Sequence, residues 1–170
     1  MMVKTICLLL VFIPVLSNAQ SAKKEFNKGF DFYEDGEYDK AIESYSLAIQ
    51  MDSENATYYY HRGVCRSLLA SNEEAIEDLS QAIALDTTYA EAYFERAYSK
   101  YRLFENVAAI EDYDQSIKLN PKYAPAYLNR GTVKFDMEDM DGACYDWRKA
   151  FNLGLKFADE LIKEYCSAKT

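Results

Sequence analysis

The chain has 170 residues, with 28 acidic and 19 basic side chains, one histidine and four cysteines. A formal charge of −9 argues against nucleic acid as a partner, because gripping a polyanion needs a surplus of Lys and Arg on some face. With 49% apolar residues and only 6 glycines and 3 prolines, a packed core is expected and a turn-rich β-sandwich is not.

The first element reads as an address. Lys4, an apolar run from Ile6 to Leu16, and the small residues Ser17 and Ala19 form the pattern of a secretory leader over residues 1–19, with cleavage before Gln20. The run is shorter than the ~20 residues a membrane crossing requires, and Pro14 interrupts it. The expected localisation is export, periplasmic or secreted, with no membrane span after residue 20. Processing removes Lys4 and no acid, leaving a charge of −10 and Cys65, Cys144 and Cys166. Three cysteines in an oxidising compartment predict one bridge and one buried thiol.

Beyond the leader the chain repeats every 34 residues. Small residues recur at Gly29, Gly63, Ala97 and Gly131, alanines at Ala41, Ala75, Ala109 and Ala143, and small residues again at Ala48, Ala82, Ser116 and Ala150. Large side chains recur at Tyr45, Leu79, Tyr113 and Trp147. These columns divide the chain into units 22–55, 56–89, 90–123 and 124–157. Within a unit the apolar spacings are three, four and seven, with no period of two, so each unit predicts helix, short turn, helix. The small columns allow two helix backbones to approach closely, and the large column fills the space beside that contact.

These units resemble the tetratricopeptide repeat, a 34-residue helix–turn–helix module. Tyr93, Ala97, Ala109, Tyr113 and Pro121 carry the likeness in the third unit, and Tyr127, Gly131, Ala143, Trp147 and Ala150 in the fourth. The resemblance implies an all-α, right-handed superhelical solenoid of four units over residues 20–157, with a capping helix and tail at 158–170. It departs from the family at the seventh place of each unit, where Lys28, Arg62, Arg96 and Arg130 replace a leucine, and Pro121 is the one closing proline. Asp78, Asp112 and Asp146 accompany the arginines, whereas Lys28 is accompanied by Ser44. Two readings fit this covariation: Arg–Asp pairs within or between units, or arginine stems that pack while their heads stay in water.

After Gly154, the residues Ala158, Leu161, Ile162 and Tyr165 form one face of a last helix, expected to cover Cys144 and Phe151. Cys144 and Cys166 lie eleven residues either side of residue 155 and should meet across that hairpin as a disulfide. Such a terminal cysteine pair also resembles the ends of secreted bacterial proteins of this family.

Reactive chemistry is scarce. His61 and Cys65 share a helical face, but two ligands make no metal site, so neither metal nor cofactor is expected. The sole histidine stands one turn from Cys65 on the same helix, an arrangement that does not build a catalytic dyad. The stretch Asp136 to Asp141 lacks the spacing of a calcium loop and reads as a turn.

In this family the first helix of each unit lines a concave wall. Here that implies an aromatic groove of Phe30, Tyr60, Phe94, Tyr98 and Tyr101, with His61, Arg102 and Asn129 as polar handles. Some family members clamp a partner's C-terminal carboxylates with Lys, Asn and Arg. Thr57, Glu91, Glu95 and Val64 stand at relevant places in this chain, so that mode is not expected. The units carry charges of −5, −3, −1 and 0 in order, which reads first as solvated helix faces, with a basic partner docking at the N-terminal end as the alternative. The function expected is a non-enzymatic scaffold or adaptor that holds a peptide or protein partner. The alternative is a structural role through self-association of the solenoid.

Overall fold

The 34-residue period becomes a series of helical hairpins. The computed structural model describes residues 12–166, with side chains from residue 19 onward. Unit one is α1 (Phe12–Glu34) and α2 (Tyr38–Met51), and unit two is α3 (Ala56–Leu68) and α4 (Asn72–Leu85). Unit three is α5 (Ala90–Arg102) and α6 (Asn106–Leu119), unit four is α7 (Ala124–Asp136) and α8 (Met140–Asn152), and α9 (Ala158–Tyr165) follows. Each helix packs on the next, and α3 also meets α5, as α5 meets α7, which lays the first helices of successive units along one wall. The leader expected over residues 1–19 falls largely outside the described residues, and α1 runs through the Ala19–Gln20 junction. No described helix is long and apolar enough to cross a membrane.

The repeated small residues are explained by what lies over them. A methyl group on Gly29 would sit 2.7 Å from the Tyr45 ring, one on Gly63 2.9 Å from Leu79, and one on Gly131 2.7 Å from Trp147. The large residue of the second helix therefore rests on the backbone of the first. Ala41, Ala75, Ala109 and Ala143 are completely buried, as are Tyr45, Leu79 and Tyr113. This is close packing at the density of a protein interior, and it fixes the hairpin angle.

A further column is visible only in the backbone. Gly36, Ala70, Phe104 and Glu138, again 34 apart, all have positive φ, between 60° and 76°. Each ends its first helix in a left-handed residue. The next N–H then donates back across the turn: Glu37 to Phe32, Ser71 to Arg66, Glu105 to Lys100 and Asp139 to Lys134, at 2.9–3.0 Å. Glycine serves this place in unit one alone. Phe104 bears the left-handed penalty of ~1 kcal/mol while its side chain is 89% exposed. Phe104→Gly should therefore raise stability by about 1 kcal/mol, seen by calorimetry as a Tm increase of roughly 2–4 °C.

The seventh-place arginines pair within their own units. Asp78 accepts Arg62 Nε and Nη2 at 2.9 and 2.7 Å, and Arg66 Nη1 at 2.8 Å. Asp112 accepts Arg96 at 2.8 and 2.7 Å and Lys100 at 2.8 Å. Asp146, fully buried, accepts Arg130 at 2.8 and 2.6 Å and Lys134 at 2.8 Å. The remaining guanidinium nitrogen crosses to the preceding unit, from Arg62 to Ser46 Oγ and from Arg96 to Ser80 Oγ at 3.0 Å, and from Arg130 to Asp114. Each guanidinium also lies over a tyrosine one turn back, Tyr59, Tyr93 or Tyr127. One side chain thus joins two helices of its own unit to the unit before, a geometry that suits the planar, forked donor of Arg.

Cys144 and Cys166 form a disulfide with a Cα–Cα distance of 5.6 Å across a separation of 22 residues. Where α9 lies differs from the expected placement. Tyr165 contacts Phe135 and Trp147 at ring distances of 4.8 and 6.0 Å, and Phe151 stays 41% exposed. The disulfide anchors the end of α9 at Cys144, and Tyr165 closes over the aromatic end of unit four. The tail beyond residue 166 lies outside the described residues.

Candidate functional site

The first helices α1, α3, α5 and α7 lie side by side, and one face of each forms the candidate surface. Residues four, seven and eleven apart on a helix share a face. On α5 that stripe is Glu91, Glu95, Tyr98 and Arg102, and on α3 it is Thr57, His61, Val64 and Leu68.

The structure brings the expected groove residues together in three groups. At the N-terminal end, His61 is surrounded by Phe26, Phe30, Tyr45 and Tyr60 at ring distances of 5.1–6.0 Å. Burial among these rings pushes the imidazole below its ordinary pKa, so it is neutral at physiological pH. In the middle, Tyr60 stacks on Tyr89 at 4.8 Å, and Phe94 meets Tyr123 at 5.1 Å and Tyr113 at 5.7 Å. Tyr60 and Phe94 therefore belong in part to the packing between units, sealed by the last residue of each unit. Asn129 on α7 lies half-buried beside the Tyr113 hydroxyl. Towards the turns, Arg102 Nη1 donates to the Tyr98 hydroxyl at 3.2 Å, and the Tyr101 hydroxyl donates to Asp136 at 2.6 Å. That bond to Asp136, together with burial, pushes Tyr101 up to about 12. Tyr101 and Arg102 also line a cavity of about 430 Å³ with Phe104, Asn106 and Asp136.

Three contributors were not among the expected groove residues. Tyr89 and Tyr123 end their units, at a place where Asn55 and Phe157 stand in the others. The third is Glu95, half-buried at the centre of the stripe on α5. Burial pushes its carboxyl up to about 7. It stands at the sixth place, where the other units have Asn27, His61 and Asn129, and that lone acid is the signal in the sequence.

Cys65 is the one free cysteine among the described residues, completely buried, with its thiol pushed up to about 12 by burial. A thiol held protonated beside a neutral imidazole is a poor nucleophile. Among the described residues, no group of three or more His, Cys, Asp or Glu is placed to hold a metal ion.

Comparison with known proteins agrees with this architecture. Models described as TPR repeat match residues 29–65 and 71–103, and one described as Tetratricopeptide repeat matches 90–123, together just over half of the chain. Among solved structures, a crystal structure of MamA superposes with a TM-score of 0.75 at 28% identity, covering 81% of each chain. The second TPR domain of human RPAP3, in complex with the HSP70 peptide SGPTIEEVD, superposes with a TM-score of 0.65 at 29% identity, covering 71% of this chain and 98% of that one. Stress-induced-phosphoprotein 1 of Caenorhabditis elegans is 36% identical over 52 residues, which are 31% of this chain and 16% of that protein. The period of 34, the nested hairpins and these matches agree, and the chain belongs to the tetratricopeptide-repeat family.

Proposed function

We propose that this protein is a non-enzymatic interaction module, exported to a periplasmic or extracellular space, that holds an extended peptide segment of a protein partner against its concave wall. The observation that carries this reading is the row of side chains along the first helices: Phe30, 38% exposed, and Arg102, also exposed, with Tyr98 and Asn129 half-buried and His61 set among the rings. Rings on a rigid curved wall provide contact area at little entropic cost. The RPAP3 domain holds a peptide on the same fold. The Cys144–Cys166 bridge suits an oxidising compartment.

The test is recovery of partners from the native extract by wild type and by a Phe30→Ala, Tyr98→Ala double variant. Both side chains reach solvent, so the double variant should stay folded. Loss of at least tenfold in recovery is the expected result, in line with the ~2 kcal/mol typical of a contact hot spot. Equal recovery would remove the groove as the working surface. Self-association is the second reading, favoured by Phe104 and Val107 at 89% and 62% exposure on the turn edge. Light scattering over a concentration series separates the two, since a groove-binding module stays monomeric throughout.

A further inference from the structure

We propose that the middle of the groove is a site for a basic side chain, in which the Glu95 carboxylate, on the same α5 stripe as Glu91 and Tyr98, receives a Lys or Arg from an extended segment of the partner. This rests on the groove reading above and names the chemistry of its occupant.

Glu95 is a half-buried acid without a partner. Among the described residues, no cation or hydrogen-bond donor is paired with its carboxylate. The cations nearest in sequence, Arg96 and Lys100, are both committed to Asp112. The charge of the Glu95 carboxylate is instead felt by tyrosine hydroxyls of other segments. It acts electrostatically on the hydroxyls of Tyr33 from α1, Tyr60 from α3, Tyr113 from α6 and Tyr123 from the loop before α7. Tyr98 and Glu91 flank it on its own helix, and Asn129 stands at the same place on α7.

Burying an acid without a counter-charge costs free energy, and the raised pKa near 7 shows that cost. A structural acid would have acquired a partner, as Asp78, Asp112 and Asp146 have. An incoming ammonium or guanidinium supplies the missing charge and finds tyrosine rings beside it for cation–π contact. The second acid, Glu91, lies one turn away on the same stripe and extends the negative potential along the path of an extended chain. By the same complementarity, an acidic segment such as the SGPTIEEVD held by the RPAP3 domain would meet repulsion here.

The test uses the full chain with its disulfide intact and an immobilised random library of nonapeptides, acetylated and amidated so that side chains carry all charge. Wild type should enrich Lys or Arg over Gln at one position by about tenfold at pH 8. Glu95→Gln keeps the shape, removes an unpaired charge and should melt no lower than wild type. It should abolish the basic preference while retaining weaker, Tyr98-dependent capture. The wild-type preference should fall by about tenfold at pH 6, where a carboxyl near 7 is mostly protonated, and the variant should show no such change. Across this range the surrounding tyrosines are raised and stay neutral, and any change at His61, whose pKa burial lowers, is common to wild type and Glu95→Gln and cancels in their comparison. Capture that depends on Tyr98 but shows no basic preference, or the same preference in Glu95→Gln, overturns the inference and leaves the groove reading standing. No capture by wild type overturns both.

Discussion

Asp146→Ala should lower stability by about 3–5 kcal/mol, seen as a fall in Tm of roughly 10 °C. The substitution removes the one carboxylate to which both Arg130 and Lys134 donate, at 2.6–2.8 Å, in a place with no solvent exposure. Two cations are then left half-buried without their main acceptor. The loss comes mainly from that orphaned charge, because the intact pair has already spent much of its Coulomb attraction on desolvation. A replacement that removes the arginine as well, Arg130→Leu with Asp146→Ser, should cost less than Asp146→Ala alone. Unit one shows that a hairpin forms without the pair, with Lys28 and Ser44 at these places. Chemical denaturation measures both variants. A loss under about 0.5 kcal/mol for Asp146→Ala would show that the cations simply turn out to water, as surface pairs do.

Reduction of the Cys144–Cys166 bridge, or Cys166→Ser, should cost about 3 kcal/mol in the chain-entropy view for a loop of 22 residues. The effect should be local. Helix α9 has eight residues, too few to be stable alone, and its hold on the array is Ala158, Tyr165 and the bridge. Hydrogen exchange should show faster amides in α9 and at the end of α8, with α1 to α6 unchanged. Uniform acceleration along the whole array would mean instead that the cap governs global unfolding. Cys65 is buried in unit two, so it should resist alkylation under native conditions in either form.

Much of the fold was legible because repeats report the same fact several times. Gly29, Gly63 and Gly131 with Tyr45, Leu79 and Trp147 describe one contact three times over, so helix spacing and pairing could be read from residue size. The Arg–Asp covariation was also legible, since Lys28 and Ser44 change together. Which helices the pairs join was not, because a period places equivalent residues in register without saying which neighbour they face. The left-handed column was hidden because Gly36 marks it once while Ala70, Phe104 and Glu138 hold the same backbone form. The Schellman hydrogen bonds enforce it whatever the side chain. The cap was misplaced at Phe151 for a related reason. Helical periodicity gives a face of α9, and the disulfide decides which part of α8 that face meets.

The groove was legible in outline only. Its aromatic columns could be named, but the division of labour among them depends on their neighbours. Tyr60 and Phe94 turn towards Tyr89 and Tyr123 and seal the units, whereas Phe30 stays exposed and Tyr98 half-buried. The proposed role of Glu95 rests on its having no partner among the described residues, and an absence of partners is invisible in a linear sequence.

The interunit reach of the seventh-place cations gives the last unit a different partner. Ser46, Ser80 and Asp114 each accept the arginine of the following hairpin, and the corresponding residue of the last unit is Arg148. Arg148 Nη2 instead donates to the Cys166 carbonyl at 3.3 Å. The position that in the other units receives the next hairpin's cation is thus taken up by the end of α9, which is held from a second point besides the disulfide.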